Sequence, residues 1–163
     1  MWCPMQTVHK RRVRLPSPVA PNRSLPGVRA FWRKSLVEDG SGPLVLMLHG
    51  FPDTAHTWDD LRPRVAAKGY RAVSVFMRGY DPSAIPDRDP DQETLARDPL
   101  ALIEALGARD ATIIGHDWGA SAAYGAAALG PDQVKRLFVI GIPHPAALEP
   151  SLKKLWAVRH FAL

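Results

Sequence analysis

The chain has 163 residues, which is enough for one domain with a real hydrophobic core. Hydrophobic residues make up 46% and charged residues 23% of the sequence, which excludes the disordered, collagen-like and coiled-coil classes. No apolar run approaches the ~18 residues that indicate a transmembrane helix. Cys3 is the only cysteine, which excludes a disulfide framework and a cysteine-based zinc site.

The net charge of +5 comes from the amino-terminal part of the chain. Residues 1–37 contain eight basic residues and no acid, whereas residues 38–163 contain 13 basic and 16 acidic residues. Because the body is slightly acidic, we do not expect nucleic acid as a partner, and because no long apolar run is present, we do not expect a membrane as a partner. Residues 1–26 hold five prolines among the basic residues, a pattern too broken for a secretory signal. We therefore expect a poorly ordered basic arm and a cytoplasmic protein.

Apolar runs alternate with helical patterns along residues 27–147, the predicted core, and one more helix is predicted in residues 148–163. The first predicted elements are a strand in Val28–Val37, a turn at Asp39–Pro43, a strand at Leu44–Leu48 and a helix at Trp58–Lys68, which is capped by Thr57 or Asp53 and stopped by Gly69. A strand at Ala72–Phe76, a loop at Arg78–Pro90 and a helix at Asp91–Leu106, stopped by Gly107, are predicted next. The last predicted elements are a strand at Ala111–Ile114, a helix at Trp118–Leu129, a strand at Leu137–Ile140 and a helix at Leu148–Phe161. Pro99 is expected to kink its helix or to mark the true start of that helix. Continuous rather than alternating apolar runs are typical of strands buried on both faces, so the sequence predicts an α/β fold with a mostly parallel sheet.

The segment Gly115-His116-Asp117-Trp118-Gly119 lies between a predicted strand and a predicted helix. It has the pattern of the G-x-S-x-G nucleophile elbow with aspartate in place of serine. The two glycines leave room for a sharp turn that pushes the central side chain outward, and we expect Ala120 and Gly125 to let the helix pack close to the sheet. A carboxylate is already ionised at neutral pH and can form a covalent ester by attack on a saturated carbon. Asp117 is therefore the candidate nucleophile.

A second motif, His49-Gly50-Phe51-Pro52, directly follows the Leu44–Leu48 strand. In an elbow architecture, one oxyanion donor is the N–H after the nucleophile and the other comes from the loop after an earlier strand. Those donors would be the backbone N–H groups of Trp118 and Phe51, holding the negative oxygen that forms when water attacks the aspartyl ester. Either motif alone is a weak signal, but the two in this order, each after an apolar strand, form a specific pattern.

With these motifs, and with Arg78-Gly79-Tyr80 and Pro143-His144-Pro145, the sequence resembles the α/β-hydrolase fold. Within that fold it is similar to the epoxide hydrolases and to their relatives, the haloalkane dehalogenases, from about Gly40 to about Pro145. The resemblance implies a three-layer fold, a small-molecule epoxide or halide as substrate, no cofactor and no metal. It also implies the roles given above for Asp117, Phe51 and Trp118. Dehalogenases with this elbow usually carry Asn where Phe51 stands, which favours epoxides.

The resemblance also implies residues that this sequence lacks. In the family, the acid and the water-activating histidine usually lie on later strands, and a helical cap supplies tyrosines that protonate the epoxide oxygen. We therefore expect an N-terminal half that is truncated before the cap and the C-terminal strands, and an incomplete, inactive fragment. Among the residues present, His144 is the least implausible base, and the side chain of His116 should point away from the site. Tyr80 and Tyr124 are predicted to be packing or loop residues.

The predicted strand Leu137–Ile140 has a second implication. In half a sheet this strand lies at an edge and is apolar on both faces, and unpaired apolar edges aggregate or find partners. The sequence therefore leaves open self-association through this edge. It also leaves open a non-catalytic remnant that binds a partner there.

Overall fold

A computed structural model of the chain describes residues 36–83, 85, 90–144 and 147. The predicted arm at residues 1–26, most of the strand predicted in Val28–Val37 and the helix predicted at Leu148–Phe161 lie outside the described residues. Within the described part of the chain, no helix is both long enough and apolar enough to cross a membrane.

The described residues form one sheet and the helices that cover it. In chain order the elements are β1 (Leu36–Asp39), β2 (Leu44–Leu48), a 3₁₀ helix (Ala55–Trp58), α1 (Arg62–Ala66), β3 (Arg71–Val75), α2 (Gln92–Ala105), β4 (Ala111–His116), α3 (Trp118–Leu129) and β5 (Val134–Ile140). The bounds predicted for β2 and α3 are confirmed.

The sheet has the strand order β1-β3-β2-β4-β5. Strand β1 runs antiparallel to β3, and the other three neighbouring pairs are parallel. The predicted α/β fold with a mostly parallel sheet is therefore confirmed. All five residues of the central strand β2 are buried, because both faces of the sheet are covered at its centre.

Alternation along the strands sends side chains into two cores, one on each face of the sheet. On one face Leu46 and Ile113 pack with Leu102 of α2 and with the small residues of α3. On the other face Met47 packs with Trp58 of the 3₁₀ helix. Helices on both sides of one sheet give the three layers that the resemblance implies.

The helix predicted at Trp58–Lys68 is present only as the shorter α1, so its predicted bounds are wrong. The chain forms a 3₁₀ turn over Ala55–Trp58, capped by the Thr54 side chain rather than by Thr57 or Asp53, and then the five-residue helix α1. Arg62, the first residue of α1, is buried and donates hydrogen bonds to Asp39, Asp59 and Ser74. This buried ionic network fixes where α1 begins, so tertiary contacts override the longer helical pattern.

Other elements differ from the predictions at their ends. Strand β3 lies one residue earlier than predicted, β4 continues to His116, and β5 already begins at Val134. Asp39 belongs to β1 rather than to the following turn, because it pairs with Ala72 of β3. Pro99 lies inside α2 and does not mark its start. Pairing with neighbouring strands extends β4 and β5 beyond their apolar runs.

Strand β5 lies at the edge of the sheet formed by the described strands, as predicted. The side chains of Phe138 and Ile140 are 55% and 49% exposed. They alternate with Leu137, which packs against the core that contains α2 and α3. In the described part of the chain, the face of β5 away from these two helices therefore exposes two apolar side chains after Arg136.

Candidate active site

Asp117 occupies a strained turn between β4 and α3. Its φ of 51° and ψ of −118° make it the one non-glycine residue with a positive φ in the described ranges. This is the backbone conformation of the first central residue of a type II′ turn, which favours glycine. The turn is held by its own hydrogen bonds: the Asp117 N–H donates to the carbonyl of Ile140 at 3.1 Å, and the Asp117 carbonyl accepts from Ala120 and Ser121. The structure thus places the predicted sharp turn at the predicted residue.

Three glycines bring the surrounding backbones together. A Cβ built at Gly115 would lie 2.5 Å from the carbonyl oxygen of Gly119, and one built at Gly119 would lie 2.6 Å from the carbonyl oxygen of His49. A Cβ at Gly50 would lie 2.6 Å from Oδ1 of Asp117. Larger residues at these positions would push β2, β4 and α3 apart at the carboxylate.

Gly125 has a different neighbour from the one expected. A Cβ built there would collide with the Cβ of Ala96 in α2. The expectation that Gly125 lets α3 approach the sheet is therefore wrong, because this glycine lies at the contact between the two helices.

The two predicted N–H donors come from the loop after β2 and from the start of α3. The Phe51 N–H donates a hydrogen bond of 3.0 Å to Oδ1 of Asp117. Trp118 is the first residue of α3, where backbone N–H groups have no acceptor within their own helix. The side chains of Phe51 and Trp118 are 68% and 51% exposed, so two large apolar groups face solvent beside the carboxylate. Pro52, also exposed, follows Phe51 through a cis peptide bond.

His49 is fully buried and links two strand ends. Its Nε2 accepts a hydrogen bond of 3.0 Å from the Met77 N–H, and its Nδ1, 2.8 Å from the carbonyl oxygen of Gly50, is then the donor. This pattern fits the neutral ring. Burial lowers the pKa of His49, while the Gly50 carbonyl and the negative charge of Asp53 oppose that shift. His49 therefore supports the loop that carries Phe51 rather than exchanging protons.

Tyr80, from the Arg78-Gly79-Tyr80 motif, lies at the same end of the sheet. Its ring meets the ring of His49 edge-on, with centroids 4.6 Å apart. Burial raises the pKa of Tyr80, and the carboxylates of Asp117 and Asp53 raise it further. Its packing on His49 agrees with the prediction, but its proximity to two carboxylates was missed.

From the sequence, Asp53 was considered only as a helix cap, although it directly follows the second motif. Its Oδ2 lies 3.3 Å from Nδ1 of His116, and both side chains are 34% exposed. Neighbouring residues of a strand face opposite sides of the sheet, so His116 and Gly115 of β4 face opposite sides. The histidine next to the candidate nucleophile therefore contacts a second carboxylate.

Tyr124 and His144, which were also considered as acid or base, contact each other. The Tyr124 hydroxyl donates to the carbonyl of Ile142 at 3.2 Å, and its ring meets that of His144 edge-on at 5.0 Å between centroids. The packing role predicted for Tyr124 fits these contacts. Within the described ranges, no group of three or more His, Cys, Asp or Glu residues could hold a metal ion.

Known proteins match the sequence and the fold of this chain. The model of the alpha/beta hydrolase fold family matches residues 43–162. An epoxide hydrolase from Caballeronia sordidicola is 40% identical over 120 residues, which are 72% of this chain and 36% of the relative. Epoxide hydrolase B from Mycobacterium tuberculosis is 36% identical over 107 residues, which are 64% of this chain and 30% of the relative.

Solved structures give the same result. Epoxide hydrolase A from Mycobacterium thermoresistibile matches with a TM-score of 0.66 and 35% identity, over 76% of this chain and 40% of that chain. An epoxide hydrolase from an endophytic Streptomyces matches with a TM-score of 0.60 and 38% identity, over 67% of this chain and 34% of that chain.

The chain belongs to the α/β-hydrolase fold family. The relatives named above are epoxide hydrolases, so the predicted resemblance is confirmed. The chain spans about a third of the length of these curated relatives.

Proposed function

We propose that the chain carries the nucleophile part of an epoxide hydrolase site and that Asp117 attacks the epoxide. The observation that carries this proposal is the hydrogen bond of 3.0 Å from the Phe51 N–H to Oδ1 of Asp117, at an elbow where Asp117 has a φ of 51°. The similarity to proteins named epoxide hydrolases supports the choice of substrate class.

The first step is an ester-forming ring opening. One carboxylate oxygen of Asp117 attacks a ring carbon, the bond between that carbon and the ring oxygen breaks, and the ring oxygen takes up a proton from solvent water to become a hydroxyl. The product is a hydroxyalkyl ester that contains every atom of the epoxide. Since Oδ1 of Asp117 already accepts from the Phe51 N–H, the other oxygen is the one left to attack.

The second step is hydrolysis of that ester. Water adds to the carbonyl carbon of the ester and gives up a proton, and the negative oxygen that develops is stabilised by the N–H groups of Phe51 and Trp118. Collapse of this intermediate breaks the bond to the alkyl oxygen, which leaves as the diol after protonation, and regenerates the Asp117 carboxylate. Because this step needs a water-activating base, and the resemblance implies a histidine on a later strand, we propose that the chain forms the ester without turning it over.

The exposed rings of Phe51 and Trp118 favour an apolar substrate. They offer apolar surface beside the carboxylate to an aryl or alkyl epoxide. Aryl epoxides such as styrene oxide are therefore the first probes to use.

A haloalkane is the second candidate substrate, because the same carboxylate could displace a halide from a saturated carbon. The two reactions leave different masses on the protein. An epoxide adds its whole mass, whereas a bromoalkane adds only its alkyl group in place of a proton and releases bromide.

The test is the intact mass of the full chain after incubation with styrene oxide or with a bromoalkane. We expect one epoxide adduct on the unchanged chain, none on Asp117→Asn, and no loss of the adduct in the control Asp132→Asn, which changes an exposed carboxylate near β5. An unchanged adduct on Asp117→Asn would refute the nucleophile. A bromoalkane adduct without an epoxide adduct would favour the dehalogenase reaction, and repeated diol formation would contradict single turnover.

We further propose that the open face of β5 supports self-association. Phe138 and Ile140 are exposed at the edge of the described sheet, where another strand could pair. Sedimentation velocity of the full chain and of Phe138→Lys tests this proposal. A dimer that Phe138→Lys weakens is expected, and a monomer at all concentrations would contradict it.

A further inference from the structure

We propose that His116 and Asp53 are positioning residues that hold the loop carrying Phe51 against the elbow. Their contact would keep the Phe51 N–H within hydrogen-bond distance of Asp117. The chemical consequence rests on the proposed function, but the effect on the Phe51 hydrogen bond does not.

The contact of His116 with Asp53 joins the same two segments as the hydrogen bond of Phe51 with Asp117. His116 is the last residue of β4 and directly precedes Asp117, while Asp53 lies two residues after Phe51 in the loop that follows β2. Nδ1 of His116 lies 3.3 Å from Oδ2 of Asp53, and the Phe51 N–H lies 3.0 Å from Oδ1 of Asp117. Two contacts therefore join the loop after β2 to the end of β4.

A third loop closes on the other side of the His116 ring. A Cβ built at Gly141, directly after β5, would lie 3.4 Å from Cδ2 and 3.5 Å from Nε2 of His116. The Asp117 N–H is bonded to the carbonyl of Ile140, the residue before Gly141. The ring thus lies where the ends of β2, β4 and β5 meet, which limits how far it can move.

The carboxylate of Asp53 is the polar group that compensates the burial of Nδ1 of His116. This atom is shielded from solvent and forms no hydrogen bond of good geometry with the described residues. A buried polar nitrogen without a partner is costly, so the nearby carboxylate of Asp53 is its main compensation. Removing that charge should therefore let the loop and the ring separate.

The Phe51 loop has little else to fix it at this point. The Phe51 side chain is 68% exposed, so few packing contacts determine where its backbone lies. His49 anchors the beginning of the loop through the Gly50 carbonyl and the Met77 N–H. Asp53 supplies the corresponding anchor beyond Phe51.

The test uses the full chain labelled with ¹⁵N-phenylalanine. The sequence has five phenylalanines, so the spectrum is simple, and Phe51→Leu assigns the Phe51 signal by its loss. In Asp53→Asn and in His116→Asn we expect the Phe51 amide proton to move upfield, because its hydrogen bond to the Asp117 carboxylate lengthens. The matched control is His56→Asn, which breaks the exposed pair of His56 and Asp59 at 2.9 Å and should leave the Phe51 signal in place.

The same variants are then assayed for ester formation with styrene oxide. We expect the maximal rate to fall about twofold to fivefold for a pair that is partly exposed, with the half-saturating epoxide concentration unchanged. The double variant should behave like either single variant, because both changes remove one contact. If His116→Asn fails to fold, Asp53→Asn alone still decides the question.

The outcomes separate the two proposals. A Phe51 signal that moves in Asp53→Asn but not in His56→Asn supports the positioning pair, even if the unchanged chain forms no ester. In that case the proposed function fails and the positioning pair stands. An unmoved Phe51 signal in Asp53→Asn overturns the positioning pair, whatever the rate of ester formation.

Discussion

The backbone strain at Asp117 can be measured by comparing Asp117→Gly with Asp117→Ala. Both variants lose the hydrogen bond from the Phe51 N–H equally, so their difference isolates the backbone. A non-glycine residue at a φ of 51° and ψ of −118° is strained by about 1–3 kcal/mol. Glycine avoids this strain but loses about 0.5–1 kcal/mol through its freedom in the unfolded chain. We therefore expect Asp117→Gly to be more stable than Asp117→Ala by about 1 kcal/mol.

The control is a position in α3 with ordinary helical backbone. Ala127, in the last turn of this helix, is half-buried, and Ala127→Gly should lower the free energy of unfolding by about 0.5–1 kcal/mol. The sign of the difference between glycine and alanine should therefore reverse between residues 117 and 127.

The assay is urea unfolding of the full chains, followed by circular dichroism and tryptophan fluorescence to check that the transitions coincide. A reversal of sign supports the strained elbow. Equal stability of the two variants at residue 117, or greater stability of Asp117→Ala, would refute the reasoning.

Three further predictions follow from contacts around the site. Gly50→Ala should slow ester formation about a hundredfold, because its Cβ would displace the Asp117 carboxylate. The rate is measured by intact mass with styrene oxide, and an unchanged rate would contradict this prediction. His49 has a pKa lowered by burial, so its contribution to stability is present above the ordinary value of 6.5 and is lost as the pH falls below that value. His49→Gln should therefore show a weaker loss of stability between pH 7 and pH 5 in urea titrations, and an identical pH slope would contradict this. Arg78→Met should lower the free energy of unfolding by about 3 kcal/mol at pH 7, because it leaves the buried Asp98 carboxylate without its charged donor. Burial already raises the pKa of Asp98, so this variant should recover stability on acidification, when the carboxyl takes up a proton, and a loss independent of pH would argue against that cause.

The parts of the fold that the sequence predicts well are those set by short-range pattern. Leu44–Leu48 is a continuous apolar run, and the structure buries all of it at the centre of the sheet. The helix at Trp118–Leu129 begins directly after Asp117 and ends before Gly130, so both ends are marked by neighbouring residues. The spacing of the glycines predicts the elbow, because each glycine lies where two backbones approach closely.

The parts that the sequence misses depend on side chains that are distant in sequence. The helix predicted at Trp58–Lys68 begins only at Arg62, whose side chain lies in a buried network with Asp39 and Ser74. The contact of Asp53 with His116 is another case, since it joins a loop after β2 to the end of β4. Nothing in the local pattern of either segment indicates its partner.

The most direct test of the central claim is to locate the adduct on the protein. The full chain is treated with styrene oxide, digested, and analysed by tandem mass spectrometry to find the residue that carries the added mass. We predict that the adduct lies on Asp117 and that hydroxylamine, which cleaves esters, removes it. An adduct on Cys3 or on a histidine, with Asp117 unmodified, would contradict the assignment of Asp117 as the nucleophile.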